Sequence, residues 1–421
     1  MPTNKDASKK HFLAQIHLFQ TAVCAGDLET TKQLFAIPGL YDAAVDKKGV
    51  TGLIAATLFG QFNVVSFLLP HLTHQQITST DDSGSSALLF ASQQGYFEII
   101  EALLKHLDSH EIFRPNRFGE TALLVAARMG DAKCMKLLLK RLDEKQVRDH
   151  GVWPLIDAIW NQHADIVKLL VDAGIDQKGI LTPYKGSTPE GSPIFHAIMR
   201  GNPEITRLLL SKQAPTEKID IALFEKNLLK AIEVGSMDAF EYFLPYIPLS
   251  ELCAESKLQN DRNPYLMAAI NHNQVAMVER LLKEGVPAGD WHYHYYHEWF
   301  DETFESSPAL FTAAQKGYVK IVKLLLKKVS LAQIGHYMRD SQHDPSYDQC
   351  CSEYLDGTTA LMAAAQNGHI EVVSLLLDTG LTQEQILYKD RNFKTALDLA
   401  ATEEIRQLIQ TRINELKIVN Q

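Results

Sequence analysis

A segment of twelve residues that returns along the chain restricts what this protein can fold into more than any other feature. Residues 84–95 read GSSALLFASQQG, residues 119–130 read GETALLVAARMG and residues 357–368 read GTTALMAAAQNG. Self-similarity at a fixed interval of a few tens of residues marks an array of small structural repeats, none of which can bury its own apolar face alone.

The closing residue of the segment falls at Gly26, Gly60, Gly95, Gly130, Gln162, Gly201, Gly235, Asn273, Gly317 and Gly368, so the early spacing is 34 or 35 residues. Glycine suits the position just past a short helix, where a positive φ is cheap without a Cβ. Asn273 is the next most tolerant residue type there, whereas Gln162 departs from the rule. Four residues further on, each repeat starts a second apolar pattern, as in Val64/Val65/Leu68/Leu69, Ile99/Ile100/Leu103/Leu104 and Val372/Val373/Leu376/Leu377. That spacing places the apolar side chains on one face of a helix. Each repeat therefore reads as a helix pair, and stacking the pairs closes one continuous core. Alanine pairs such as Ala55-Ala56 and Ala126-Ala127 permit close approach.

The pattern Thr-x-Leu-x-x-Ala-Ala-x-x-Gly followed by Val-Val-x-x-Leu-Leu is similar to the ankyrin repeat, and the resemblance covers about residues 17 to 410. It implies an all-α repeat solenoid of about ten or eleven helix-turn-helix units joined by β-hairpin fingers. Residues 1–16 would then be an N-terminal capping segment and residues 411–421 a C-terminal tail. The match is close in units two to four, nine and ten, and weaker in the first (Ala22, Gly26, Leu34) and the seventh (Ala231, Gly235, Phe243). A last unit with a first helix at residues 395–401 and a second at Glu404/Ile405/Leu408/Ile409 arrives early and reads as a cap.

Later repeats lengthen, and the extra residues fall between the second helix of one unit and the first of the next, at about 176–191, 286–307 and 330–356. The resemblance puts these insertions in the fingers. The first contains Gly179, Pro183, Gly186, Pro189 and Gly191 and reads as a long loop. The second crowds Trp291, Tyr293, Tyr295, Tyr296, Trp299 and Phe300 together. Such rings serve either as anchors for a partner or as a small core folded onto neighbouring fingers.

Residues that could carry chemistry also lie in the insertions. His292, His294, His297 and Glu298 could hold zinc, but in no fixed helical frame. His336, His343, Cys350 and Cys351 suggest a Cys/His hydrolase pair or a second zinc cluster, although Asp340, Asp344, Asp348 and Glu353 would raise a thiol pKa. Gly-rich phosphate loops, a G-x-S-x-G elbow and G-x-G-x-x-G are all missing from the sequence. The expectation is a chain that is not an enzyme and uses no cofactor or metal.

Lys plus Arg total 41 against 51 Asp plus Glu, and a net charge of −10 opposes binding to nucleic acid or anionic lipid. No stretch approaches the ~20 apolar residues a membrane helix needs, and residues 1–10 lead into no apolar export segment. Cys24, Cys134, Cys253, Cys350 and Cys351 form an odd, mostly scattered set, which points to a reducing cytoplasmic setting.

The signal for function lies just before each closing residue, at the two positions that an ankyrin-like array turns toward its concave groove. They read Leu58/Phe59, Gln93/Gln94, Arg128/Met129, Trp160/Asn161, Met199/Arg200, Glu233/Val234, Asn271/His272, Gln315/Lys316 and Gln366/Asn367. Phe59, Met129, Trp160 and Met199, with Arg128 and Arg200 beside them, make an apolar stripe whose composition suits a protein-binding hot spot. The alternative is that irregular units tilt and bury these side chains against the fingers. The resemblance thus implies a monomeric interaction scaffold that holds a protein or extended peptide through groove and fingers. Irregular ankyrin arrays with unique insertions resemble effectors that intracellular bacteria deliver into host cytoplasm, and residues 415–421 are compatible with a C-terminal translocation signal. A eukaryotic cytosolic adaptor has the same signature.

Overall fold

A computed structural model describes the chain except at residues 1–3, 176, 183–190, 212–220, 254–263, 289–290, 295–302, 307, 336, 340–355, 391 and 420–421. The chain divides into two compact bodies, 1–219 and 220–421.

The N-terminal body is a stack of helix triplets. They are α1 (Asn4–Ala25), α2 (Leu28–Phe35) and α3 (Leu40–Ala43), followed by α4 (Gly52–Leu58), α5 (Phe62–Leu68) and α6 (His74–Ile77). Next come α7 (Ala87–Gln94), α8 (Phe97–Leu104) and α9 (His110–Phe113), then α10 (Ala122–Met129), α11 (Ala132–Leu139) and α12 (Glu144–His150). The body continues with α13 (Val152–Trp160), α14 (Ala164–Asp172) and α15 (Gln177–Leu181), and ends with α16 (Pro193–Arg200) and α17 (Pro203–Leu210).

The C-terminal body repeats the scheme in α18 (Ile221–Val234), α19 (Met237–Phe243) and α20 (Leu249–Leu252), then α21 (Pro264–Asn271) and α22 (Val275–Lys283). It goes on through α23 (Pro308–Gln315), α24 (Val319–Leu325) and α25 (Leu331–Gly335) to α26 (Ala360–Gln366), α27 (Ile370–Leu377), α28 (Gln383–Ile386) and α29 (Glu403–Val419). Strands β1 (Trp291–His294) and β2 (Thr303–Ser306) pair antiparallel, as do β3 (Tyr337–Arg339) and β4 (Asp356–Thr359), the latter with a register shift.

The residues of the repeat each have a physical task. The threonine or serine that opens the motif is the N-cap of the first helix: the hydroxyls of Thr51, Ser86, Thr121, Ser192 and Thr359 accept from the amides of Ile54, Leu89, Leu124, Phe195 and Met362. Ala56, Ala91, Ala126, Ala158 and Ala197 are fully buried where successive first helices pack together. Val64, Val65, Leu68 and Leu69, like Ile99, Ile100, Leu103 and Leu104, are buried along the second helices.

All ten closing positions have positive φ, including Gln162 at 64° and Asn273 at 55°. A second reason for glycine is steric. A Cβ on Gly26 would run into the Gln61 amide, one on Gly130 into the His163 ring and one on Gly317 into the His369 ring. In each case the first residue after the next repeat's closing position reaches back over the glycine. Gln61 donates through Nε2 to the Cys24 carbonyl, and His163 and His369 place Nε2 3.1 and 2.9 Å from the carbonyls of Arg128 and Gln315. At the Gln162 joint the side chain takes over, and Asn202 Nδ2 donates to Gln162 Oε1 at 2.7 Å.

The third helix of each triplet was not anticipated from the sequence. It recurs as an apolar residue, a capping residue, two variable residues, Gln or Glu, and an apolar plug, with Ile77, Ile112, Val147, Leu252, Ile334 and Ile386 as the buried plugs. Thr73 with Gln76, Asp143 with Gln146 and Thr382 with Gln385 close reciprocal capping boxes.

Several sequence expectations change on contact with the coordinates. The segment from residue 177 starts not as loop but as α15, because Ile180 and Leu181 are fully buried, while residues 183–190 lie outside the described part. The regular fingers form no named strands; a single antiparallel bridge, Thr80↔Ser86, is present in the second, and Asx turns shape the tips. There the carboxylates of Asp46, Asp81 and Asp390 and the amide oxygen of Asn116 each accept two backbone amides. Residues 395–401 make turns rather than a first helix, braced by the reciprocal Thr395–Asp398 bonds. The boundaries expected at residues 16 and 411 fall inside α1 and α29, and Ile413, two residues past the second of them, is buried.

Candidate functional site

The C-terminal ends of α4, α7, α10, α13 and α16 carry the stripe, all within the N-terminal body, and each of these helices packs on the next. The stripe is open to solvent. Phe59 is 59% exposed, Met129 60%, Trp160 40% and Met199 43%, so the tilted, self-buried alternative does not hold.

The stripe is not uniform. Gln93 and Gln94 on α7 separate Phe59 from the rest, and the continuous patch comprises Arg128, Met129, Trp160, Met199 and Arg200 on α10, α13 and α16. Trp160 lies at its centre and is held from the neighbouring helix. The His196 ring lies 5.4 Å from the indole, centroid to centroid, and the Arg200 guanidinium carbon stands 5.2 Å over it. A guanidinium over the face of an indole is favoured by the ring quadrupole, and the contact restrains both side chains.

The two arginines differ in state. Arg128 Nη1 bonds Glu120 Oε1 at 2.8 Å and its Nε bonds Asp157 Oδ2 at 3.1 Å. Partial burial works against its charge, but those carboxylates outweigh it and raise its pKa further. Arg200 is exposed and, among the described residues, has no carboxylate partner. His196 is half-buried with an Nδ1 that finds no hydrogen-bond partner among the described residues, and desolvation lowers its pKa.

Glu120, Asp157, His196 and Trp153 escaped the sequence reading. Asp157 and His196 were visible as polar residues at a place where Val125 is buried in the regular repeat. Trp153, half exposed, precedes Trp160 by seven residues on the same helix and so shares its face.

In the second insertion, Trp291 and Tyr293 belong to β1, opposite Ser306 and Phe304, and His292 and His294 pair with Glu305 and Thr303. Tyr295, Tyr296, Trp299, Phe300, His297 and Glu298 lie outside the described residues, as do His336, His343, Cys350 and Cys351. Among the described residues no group of three or more His, Cys, Asp or Glu is placed to hold a metal ion, and no helix is long and apolar enough to cross a membrane. Cys134 is buried at the core of α11, where desolvation pushes its thiol up to about 12 and makes it a poor nucleophile.

Stacked helix pairs with first helices closed by a residue of positive φ define a helical repeat protein. The family model for ankyrin repeats matches residues 19–116, 105–179 and 310–415, together more than half of the chain. The chain belongs to the ankyrin-repeat family, whose repeats are general protein–protein interaction modules. It is 25% identical over 273 residues to the ankyrin repeat and KH domain-containing protein mask-1 of Caenorhabditis elegans; the match takes in 59% of this chain and only 9% of that protein. An ankyrin repeat domain from Acinetobacter baumannii is 28% identical, with a TM-score of 0.39, and the match covers 46% of this chain and 96% of that one.

Proposed function

We propose that the protein is a non-enzymatic scaffold that binds a partner protein or extended peptide along the stripe of the N-terminal body, with Trp160 as the principal anchor. The observation that carries this is an indole left 40% exposed yet held in place by His196 and Arg200, between Met129 on one side and Met199 on the other. A rigid aromatic flanked by flexible thioethers gives large contact area at small entropy cost, the composition of an interface hot spot. Phe59 adds a separate contact point for a longer partner, and the aromatic residues of β1 and its connecting segment, Trp291 to Phe300 in sequence, add another. The chain acts as a monomer in the cytoplasm, and the finer version of the proposal makes it a delivered bacterial protein with a host partner.

Affinity capture from lysate with wild type and with the triple variant Met129→Ala, Trp160→Ala, Met199→Ala tests the reading. Partners should be lost from the triple variant while its helical circular dichroism is preserved. A folded triple variant that keeps every partner overturns the groove as the binding surface.

A further inference from the structure

We infer that the occupant of the stripe is an extended acidic segment, whose carboxylate is received by Arg200 on the face of Trp160 while its apolar side chains lie on Met129 and Met199. The inference rests on the stripe being the binding surface and goes further by naming the charge of what binds there.

The two arginines decide it. Arg128 is already satisfied by Glu120 and Asp157, so it offers a partner neither a free fork nor net charge. Arg200 has no carboxylate partner among the described residues, and its guanidinium carbon lies 5.2 Å over the Trp160 ring, a contact that restrains the side chain. A guanidinium prearranged in this way is suited to bidentate capture of a carboxylate, with little rotamer entropy left to lose on binding.

The same charges select against other anions. Glu120 and Asp157, joined to Arg128, leave net negative charge in the patch and the chain as a whole carries −10, so a polyphosphate backbone, charged at every unit, meets more repulsion here than a segment that brings one carboxylate. A single carboxylate matches a single open guanidinium. Packed helices stand roughly 8–10 Å apart and an extended chain advances about 3.3 Å per residue, so a peptide uses about three residues per repeat and a segment of about twelve residues crosses α10, α13 and α16 with ends to spare.

A phage-displayed library of random dodecapeptides, selected on the full-length protein, supplies the probe without presupposing a sequence. Recovered peptides should be enriched in Asp or Glu beside apolar residues, and fluorescence anisotropy of the synthetic peptides should show at least tenfold weaker binding to Arg200→Ala. Arg200→Glu should lose the acidic peptides and bind versions in which the acid is replaced by lysine. Because Arg200 is exposed and gives up only its contact with Trp160, both variants should melt within a few degrees of wild type. Peptides without acid enrichment, or acidic peptides indifferent to Arg200→Ala and Arg200→Glu, overturn the inference. If such peptides still lose affinity in Trp160→Ala, the stripe remains the binding surface and only the charge assignment fails. Peptides that ignore Trp160→Ala as well, or no recovered peptides at all, count against both.

Discussion

Gln162 shows what a single residue can reveal about an array. It adopts a φ of 64° because the repeat geometry demands it, although a side chain with a Cβ is strained there by about 1 kcal/mol. Gln162→Gly should relieve that strain and forgo the exposed bond from Asn202, for a net gain of about 0.5–1 kcal/mol. Thermal unfolding followed by circular dichroism should then shift upward by a few degrees; a fall in melting temperature would show that the Asn202 bond outweighs the backbone strain. His196 makes the complementary point about solvation. Burial holds its pKa below the ordinary 6.5, so the folded state keeps the ring neutral while the unfolded chain takes up a proton first as pH falls. Its contribution is therefore intact above about pH 6.5 and lost on acidification toward the depressed value. The wild type should lose more stability than His196→Phe between about pH 7 and about pH 5, and parallel pH profiles would remove His196 as the cause.

At the scale of the element, the short third helices close the end of a repeat with an apolar plug, and three of them, at α6, α12 and α28, add a capping box. The box at Thr382 and Gln385 satisfies two amides at the start of α28, whose Ile386 is buried. Thr382→Ala should cost about 1 kcal/mol and Ile386→Ala about 2–4 kcal/mol, measured by urea unfolding of the full chain. An unchanged midpoint for Ile386→Ala would mean that α28 is not part of the cooperative core. The first and second helices were legible because their signals are redundant: a buried alanine, a residue of positive φ and an apolar face on the second helix agree with one another, and five first helices add a capping hydroxyl. The third helices were missed because about one turn carries too little periodicity to stand out. Their signal lies in the spacing of cap, glutamine and plug across repeats, from Thr73, Gln76 and Ile77 to Thr382, Gln385 and Ile386. The site was legible as a list of positions but not as a grouping. That Arg128 is neutralised and Arg200 is not depends on Glu120 and Asp157, which come from the finger side of α10 and from the next repeat, and local spacing says nothing about such pairs.

For the molecule as a whole, the family assignment rests on matches in both compact bodies, while the best-defined patch of exposed stripe residues belongs to the first. The overall charge of −10 bears on which macromolecules can approach. A protein of this charge, whose candidate site has one open arginine among the described residues, should not retain duplex DNA or RNA in a gel-shift experiment at physiological salt. A retained band that fades with added salt would disclose a basic surface outside the stripe.

The joints between repeats have an evolutionary corollary. The vacancy left by the missing Cβ accepts glutamine at Gly26, tyrosine at Gly60, histidine at Gly130 and glutamine again at Gly235, so at these joints it functions as a socket indifferent to what is plugged into it. Repeats joined at such sockets can therefore be duplicated, deleted or exchanged with the seam still matched. The seam between Gln162 and Asn202 behaves otherwise, since its amide groups answer specifically to each other, and recombination there separates a matched pair. Length variation among descendants of such a gene should accumulate at the glycine seams and avoid this one.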